Sequence, residues 1–171
     1  MRAHLLVTVL FAGTAAACTP LHPQVELARG ASLKNYRAVV LGPVEDQSGY
    51  PFQYPIGDSV RARMAETFRS HGFQVLIHPA DSSYTGHALF LMSTIEGFKS
   101  GALTPNLPTA MGTSRCRIIT EMRDEQTGKR LGDVDAAEIS DQEITIQESP
   151  FALLMTCARM VANEIVRRAS S

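Results

Sequence analysis

The sequence predicts an α+β fold, a two-layer α/β domain with the element order β-α-β-β-β-α. Three observations carry that prediction. Ile56, Val60, Met64 and Phe68 recur every four residues, the spacing of one helix face. Ser114–Arg123 alternates instead, with Cys116, Ile118, Thr120 and Met122 on one side and Arg115, Arg117, Glu121 and Arg123 on the other. Period two with one charged face describes a strand with one side in water. Leu154, Cys157, Val161 and Ile165 form a second helical stripe near the C-terminus. The simplest packing is one mixed sheet with both helices on one face, leaving the other face to the Arg and Glu side chains.

Taken in order, Tyr36–Leu41 is predicted as the first strand, ended by Gly42-Pro43. Val44–Tyr54 is a turn-rich loop. Ile56–His71 is the first helix, with Asp58 in its first turn, where a carboxylate complements the helix dipole, and Gly72 as its stop. Phe73–Ile77 is the second strand. Ala88–Phe98 is the third, opening on five apolar residues as a well-buried strand does. Lys99–Thr113 is expected to be a loop. Ser114–Arg123 and Arg130–Ser140 are the fourth and fifth strands, joined by a turn in which Gly128 suits a positive φ. Ser149 and Pro150 are a good N-cap and first residue for the last helix, about Pro150 to Arg168.

The N-terminus has a different grammar. Met1-Arg2-Ala3-His4 carries one fixed positive charge, Leu5–Ala12 is apolar, and Gly13–Ala17 is a small-residue spacer. That order is a secretory signal peptide over residues 1–17. The apolar run is far shorter than the roughly 20 residues of a spanning helix. Ala15-x-Ala17 suits ordinary signal peptidase, which would leave a soluble periplasmic protein. The pattern Ala15-Ala16-Ala17-Cys18 also resembles the bacterial lipobox, with Ala15 where Leu is usual. That resemblance implies lipidation at Cys18, with acyl chains such as palmitate on the thiol and the freed amine. Each buried CH₂ contributes about 0.8 kcal/mol, so several chains anchor stably where one does not. Thr19, rather than Asp, follows the cysteine, which by the same resemblance points to the outer membrane. Residues 18–35 are expected to be a lipid-anchored tether, with Pro20 and Pro23 and no sustained period. Residues 36–171 then form a single periplasmic domain.

Removal of residues 1–17 from the 171 leaves 154, enough for one self-sufficient core. The leader takes one Arg and no acid, so 15 basic side chains face 17 acidic ones. That balance argues against nucleic-acid binding, and with no Trp a stacking platform is poorly supported. Cys116 and Cys157 both fall on inward faces and are a candidate disulfide of an exported chain.

No catalytic constellation emerges, and no cofactor or metal is expected. Thr127-Gly128-Lys129 lacks the first glycine of a phosphate loop and has Arg130 where Ser or Thr should stand, so a hairpin turn explains it. His71, His78 and His87 have no ligand spacing. Glu45, Asp46 and Asp58 surround the loop after the first strand, a place where α/β sheets often hold ligands. Leu103, Leu107 and Met111, apolar within Lys99–Thr113, are the candidate partner-contact residues.

Arg37-Ala38-Val39-Val40-Leu41-Gly42-Pro43, the helix-into-strand stretch Val60–Val75, the hairpin Asp124–Leu131 and the terminal helix together resemble a family of small bacterial envelope lipoproteins of unknown function. Its wider relatives include the periplasmic domain of the curli secretion channel and the N-terminal domain of the TolB translocation protein. The resemblance implies a non-enzymatic accessory or assembly component, meeting the membrane through its lipid anchor and working with an envelope protein or with copies of itself. Lys99–Thr113 is too short for two membrane-crossing strands of about 9–11 residues each, which argues against a pore built by this protein alone. A periplasmic small-ligand binder using Val44–Tyr54 is the alternative.

Overall fold

The computed structural model describes residues 23–78, 84, 86–99, 102–103, 109–111, 114–140, 144–145 and 150–171. Its strands are β1 (Gln24–Leu27), β2 (Ala38–Asp46), β3 (Gln74–Ile77), β4 (Ala88–Lys99), β5 (Ala102–Leu103), β6 (Thr109–Met111), β7 (Ser114–Asp124), β8 (Arg130–Ser140) and β9 (Ile144–Thr145). The helices are α1 (Ile56–Ser70) and α2 (Pro150–Ser170). Six strands form one mixed sheet in the order β1-β8-β7-β4-β2-β3. β2 runs parallel to β3 and β4, whereas β4, β7, β8 and β1 pair antiparallel. α1 lies over β2 and β3, α2 over β7 and β8, and the two helices pack on each other. This is the expected α+β architecture.

The inner face follows from the two periodicities. Ile56, Val60, Met64 and Phe68 of α1 are all buried, as are Leu154, Cys157, Val161 and Ile165 of α2. They meet Leu89, Leu91 and Ile95 of β4 and Cys116, Ile118 and Met122 of β7 in one core. A disulfide joins Cys116 to Cys157, tying the sheet to α2 across a sequence separation of 41. Ser93 and Thr120 sit in the same layer and satisfy each other, with hydroxyls 2.8 Å apart.

The outer face is divided. Over β4, β7 and β8, Arg117 bridges Glu96 at 2.8 Å and Asp135 at 2.7 Å, Arg123 pairs with Glu121, and Arg130 with Asp133. Over β2, β3 and β4 the same face is apolar, where Ala38, Val40 and Ala88 are covered by Leu76, Tyr84 and Phe90. The expectation of an Arg/Glu face thus describes half of it. Exposed ion pairs contribute about 0–1 kcal/mol each, against about 1.5–3 kcal/mol for burying one large apolar side chain. The inner core therefore holds the fold, and the charge ladders add chiefly to register.

Five strands differ from the sequence-based expectation. β2 continues past Gly42-Pro43 to Asp46 because the pairing with β4 shifts between Leu41 and Val44, and a proline is tolerated at such an irregularity. β1 falls inside the segment expected to be a tether and forms the sheet edge on β8. β5, β6 and β9 make a small three-stranded sheet from parts of the expected loop Lys99–Thr113 and of the connector after β8. Leu103 lies in β5 and Met111 in β6, whereas Leu107 and Cys18 lie outside the described residues.

The β7–β8 turn is built around Asp124. One carboxylate oxygen accepts from the Thr127 amide at 2.8 Å and its hydroxyl at 2.6 Å, and the other accepts from the buried Tyr36 hydroxyl at 2.6 Å. Gly128 takes φ 67°, closing the turn as anticipated. The Thr127 and Tyr36 hydrogen bonds hold the Asp124 carboxyl below the usual carboxylate range. Burial, with Asp124 beside it, pushes the Tyr36 phenol up, so it stays a donor. A depressed acid contributes stability that is complete above its unfolded pKa and is lost as pH falls through its folded one. Tyr36→Phe is therefore expected to cost about 1.5–3 kcal/mol at neutral pH, a deficit that shrinks below the ordinary carboxylate range. Urea unfolding at pH 7 and pH 3 measures it, and an equal deficit at both would refute the assignment.

Candidate functional site

The loop after β2, singled out from the sequence, borders a groove between the end of β2 and the start of α1. It has a volume of about 360 Å³ and is lined by Val44, Asp46, Tyr50, Phe52, Tyr54 and Asp58, among others. Its shape is set locally. Asp46 accepts from the Ser48 amide at 3.0 Å and hydroxyl at 2.6 Å, and Ser48 Oγ accepts from the Tyr50 amide at 3.2 Å. These short-range bonds turn the chain and point it back toward the sheet. Tyr50 and Phe52 then pack on Phe98 of β4, with ring centroids 4.9 and 5.1 Å away. Tyr54 stays half exposed and meets Phe151 edge-on at 5.8 Å. Gly57 lets α1 start against β2, because a Cβ there would come within 2.4 Å of the Val44 carbonyl oxygen.

Of the three carboxylates singled out from sequence, only two share this groove. Asp58 is paired with Arg61 at 2.6 Å, and Asp46 serves the turn. Glu45 leaves by the other side of the sheet, beside Pro43, Met92, Thr94 and Glu121. Alternation along β2 sends neighbouring side chains to opposite faces, so Glu45 and Asp46 cannot form a pair for acid–base work. The arrangement can hold an apolar or aromatic group against rings, with carboxylates at the rim.

The histidines do not converge either. His71 meets Asn163 at 3.2 Å, and His78 packs edge-on to Phe90 at 5.4 Å. No group of three or more metal-ligating side chains occurs among the described residues.

A second cleft, of about 330 Å³, opens at the same end of the sheet between Phe98, Lys99, Arg115, Cys116 and Glu138. Burial pushes the Glu138 carboxyl up, with Arg159 pulling partly the other way. Its Oε2 has no hydrogen-bond partner among the described residues. Sequence reading passed over this cleft, because Phe98, Cys116 and Glu138 come from three separate strands. The only available signal was the strict inward register of an acid, Glu138, opposite Cys116.

No family model and no curated protein matches the chain. Solved structures do share its fold. The PelC L103M dodecamer from Paraburkholderia phytofirmans superposes with a TM-score of 0.57 at 16% identity, covering 83% of this chain and 97% of that one. A protein from Xanthomonas campestris of the family DUF330 superposes with a TM-score of 0.50 at 11% identity, covering 87% and 94%. At these identities the likeness is one of fold, and the domain described here is nearly the whole of each of those chains.

Proposed function

We propose that the chain is a bacterial outer-membrane lipoprotein, acylated at Cys18, whose periplasmic domain is a non-enzymatic assembly component and associates with copies of itself. The observation that carries this reading is the stretch Leu5–Cys18, where an apolar core and small residues run directly into a cysteine. The resemblance to small envelope lipoproteins supports it. Self-association is supported by the dodecameric state named for the PelC structures that share the fold. The outer face of the domain over β4, β7 and β8 is largely self-neutralised by its ion pairs.

The test has two readouts on protein purified from bacterial envelopes. The N-terminal peptide is expected to start at acylated Cys18, and light scattering in detergent to give a multiple of the protomer mass. Cys18→Ser should move the protein from the membrane pellet to the soluble periplasmic fraction. A bare sulfur, or a pellet that keeps the serine variant, would overturn the anchor. A strictly monomeric protein would overturn self-association.

The aromatic groove favours a second reading, a small-ligand binder. A ligand occupying it would raise the melting temperature by mass action, and the effect should vanish in Tyr50→Ala.

A further inference from the structure

The strand register fixes which end of the domain the N-terminus leaves from. Gln24 pairs with Asp135 of β8, which pairs with Ile119 of β7. The N-terminal end of β1, at Gln24, points toward the end of the sheet where Ser140 pairs with Ser114 and Arg115 with Lys99. From the level of Asp135 to that of Ser140 is five strand residues, about 17 Å. From Cys18 to Gln24 is six residue steps, at most about 20–22 Å fully extended. A lipid carried on Cys18 therefore reaches only a few ångströms past the end of the sheet. The headgroup layer is itself about 5–7 Å deep on each side of a bilayer.

We infer that the Lys99–Arg115 end of the domain lies in the headgroup layer of the membrane, as a built lipid-contact surface. The inference rests on the anchor at Cys18 and specifies what the domain does with it. The composition of that end fits. Tyr50 and Phe52 come from the loop after β2 and cluster with Phe98, and Tyr54 of the same loop stands half exposed against Phe151. Lys99 and Arg115 stand exposed beside them. Amphipathic rings and cations together are what a headgroup layer with anionic lipid accommodates. β4 passes through Lys99 toward β5, and β6 leads into β7 at Ser114, so the small sheet also joins the domain at this end. The opposite end presents the polar Glu125–Lys129 turn and His71.

The chain has no Trp, so single reporters are unambiguous. Tyr54→Trp and His71→Trp place one at each end, both at exposed positions. The acylated protein is reconstituted in vesicles of phosphatidylethanolamine and phosphatidylglycerol whose acyl chains are brominated near the headgroup. Emission from Tyr54→Trp is expected to shift to the blue and be quenched severalfold more than that from His71→Trp. Equal quenching at both positions, or none at either, overturns the orientation. Mass analysis of the N-terminal peptide reads the anchor separately. Acylated protein with an unquenched Tyr54→Trp sinks the contact surface alone, whereas unacylated protein sinks the anchor and the surface with it.

Discussion

Replacing Cys116 and Cys157 together by Ala is expected to lower the stability of the domain by about 4 kcal/mol, the loop-entropy value for a closed segment of this length. In a chain of this size that corresponds to a melting temperature lower by roughly 8–16 °C. The bond joins β7 at the centre of the sheet to the first half of α2. Its segment of 41 residues in sequence separation holds the β7–β8 hairpin and the chain leading to α2. Both cysteines are essentially buried, so alanine leaves only small cavities and the loss is mainly that of the crosslink. Calorimetry of the parent, the double variant and the reduced parent measures it. Reduced parent and double variant should coincide. A double variant melting within about 2 °C of the oxidised parent, no more than the shift for about 1 kcal/mol, would remove the bond from any account of stability.

Gly132→Val is expected to release β1 from the sheet while the remaining strands hold. Gly132 sits at φ 147°, and a Cβ there would lie 2.1 Å from the Glu26 carbonyl oxygen and 2.9 Å from Leu27 Cα. Neither contact can be relieved by a rotamer, because both partners are backbone. Strain of this kind costs roughly 1–3 kcal/mol, and the chain avoids it by giving up four residues of edge pairing. Hydrogen exchange should show protection lost at residues 24–28 and kept in β4, β7 and β8. Unchanged protection over β1 would contradict the close approach. In an acylated protein the released strand would also lengthen the leash between membrane and domain, making Gly132 the residue that keeps the leash short.

Much of the fold was legible because its periodicities are strong. The four-residue spacing from Ile56 to Phe68 and the two-residue alternation from Cys116 to Met122 each name a buried face without knowledge of what covers it. The inward placement of both cysteines followed from those same phases. β1 was not legible. Gln24-Val25-Glu26-Leu27 is four residues with weak alternation next to prolines, and its pairing depends on Gly132 more than 100 positions away. The small sheet escaped for the same reason, since strands of two or three residues carry no period. At the candidate site, the carboxylates were visible and their geometry was not. Glu45 and Asp46 are neighbours in sequence and belong to opposite faces of β2.

The sequence by itself determined the α+β class and the buried stripes of both helices and the central strands, since each is written in the order of adjacent residues. The tertiary structure decided that the cysteines meet, that the aromatic loop folds onto Phe98 and that the N-terminal segment is an edge strand aimed at one end of the sheet. Those outcomes depend on strand order and register, which are properties of the assembled sheet rather than of any one stretch of chain.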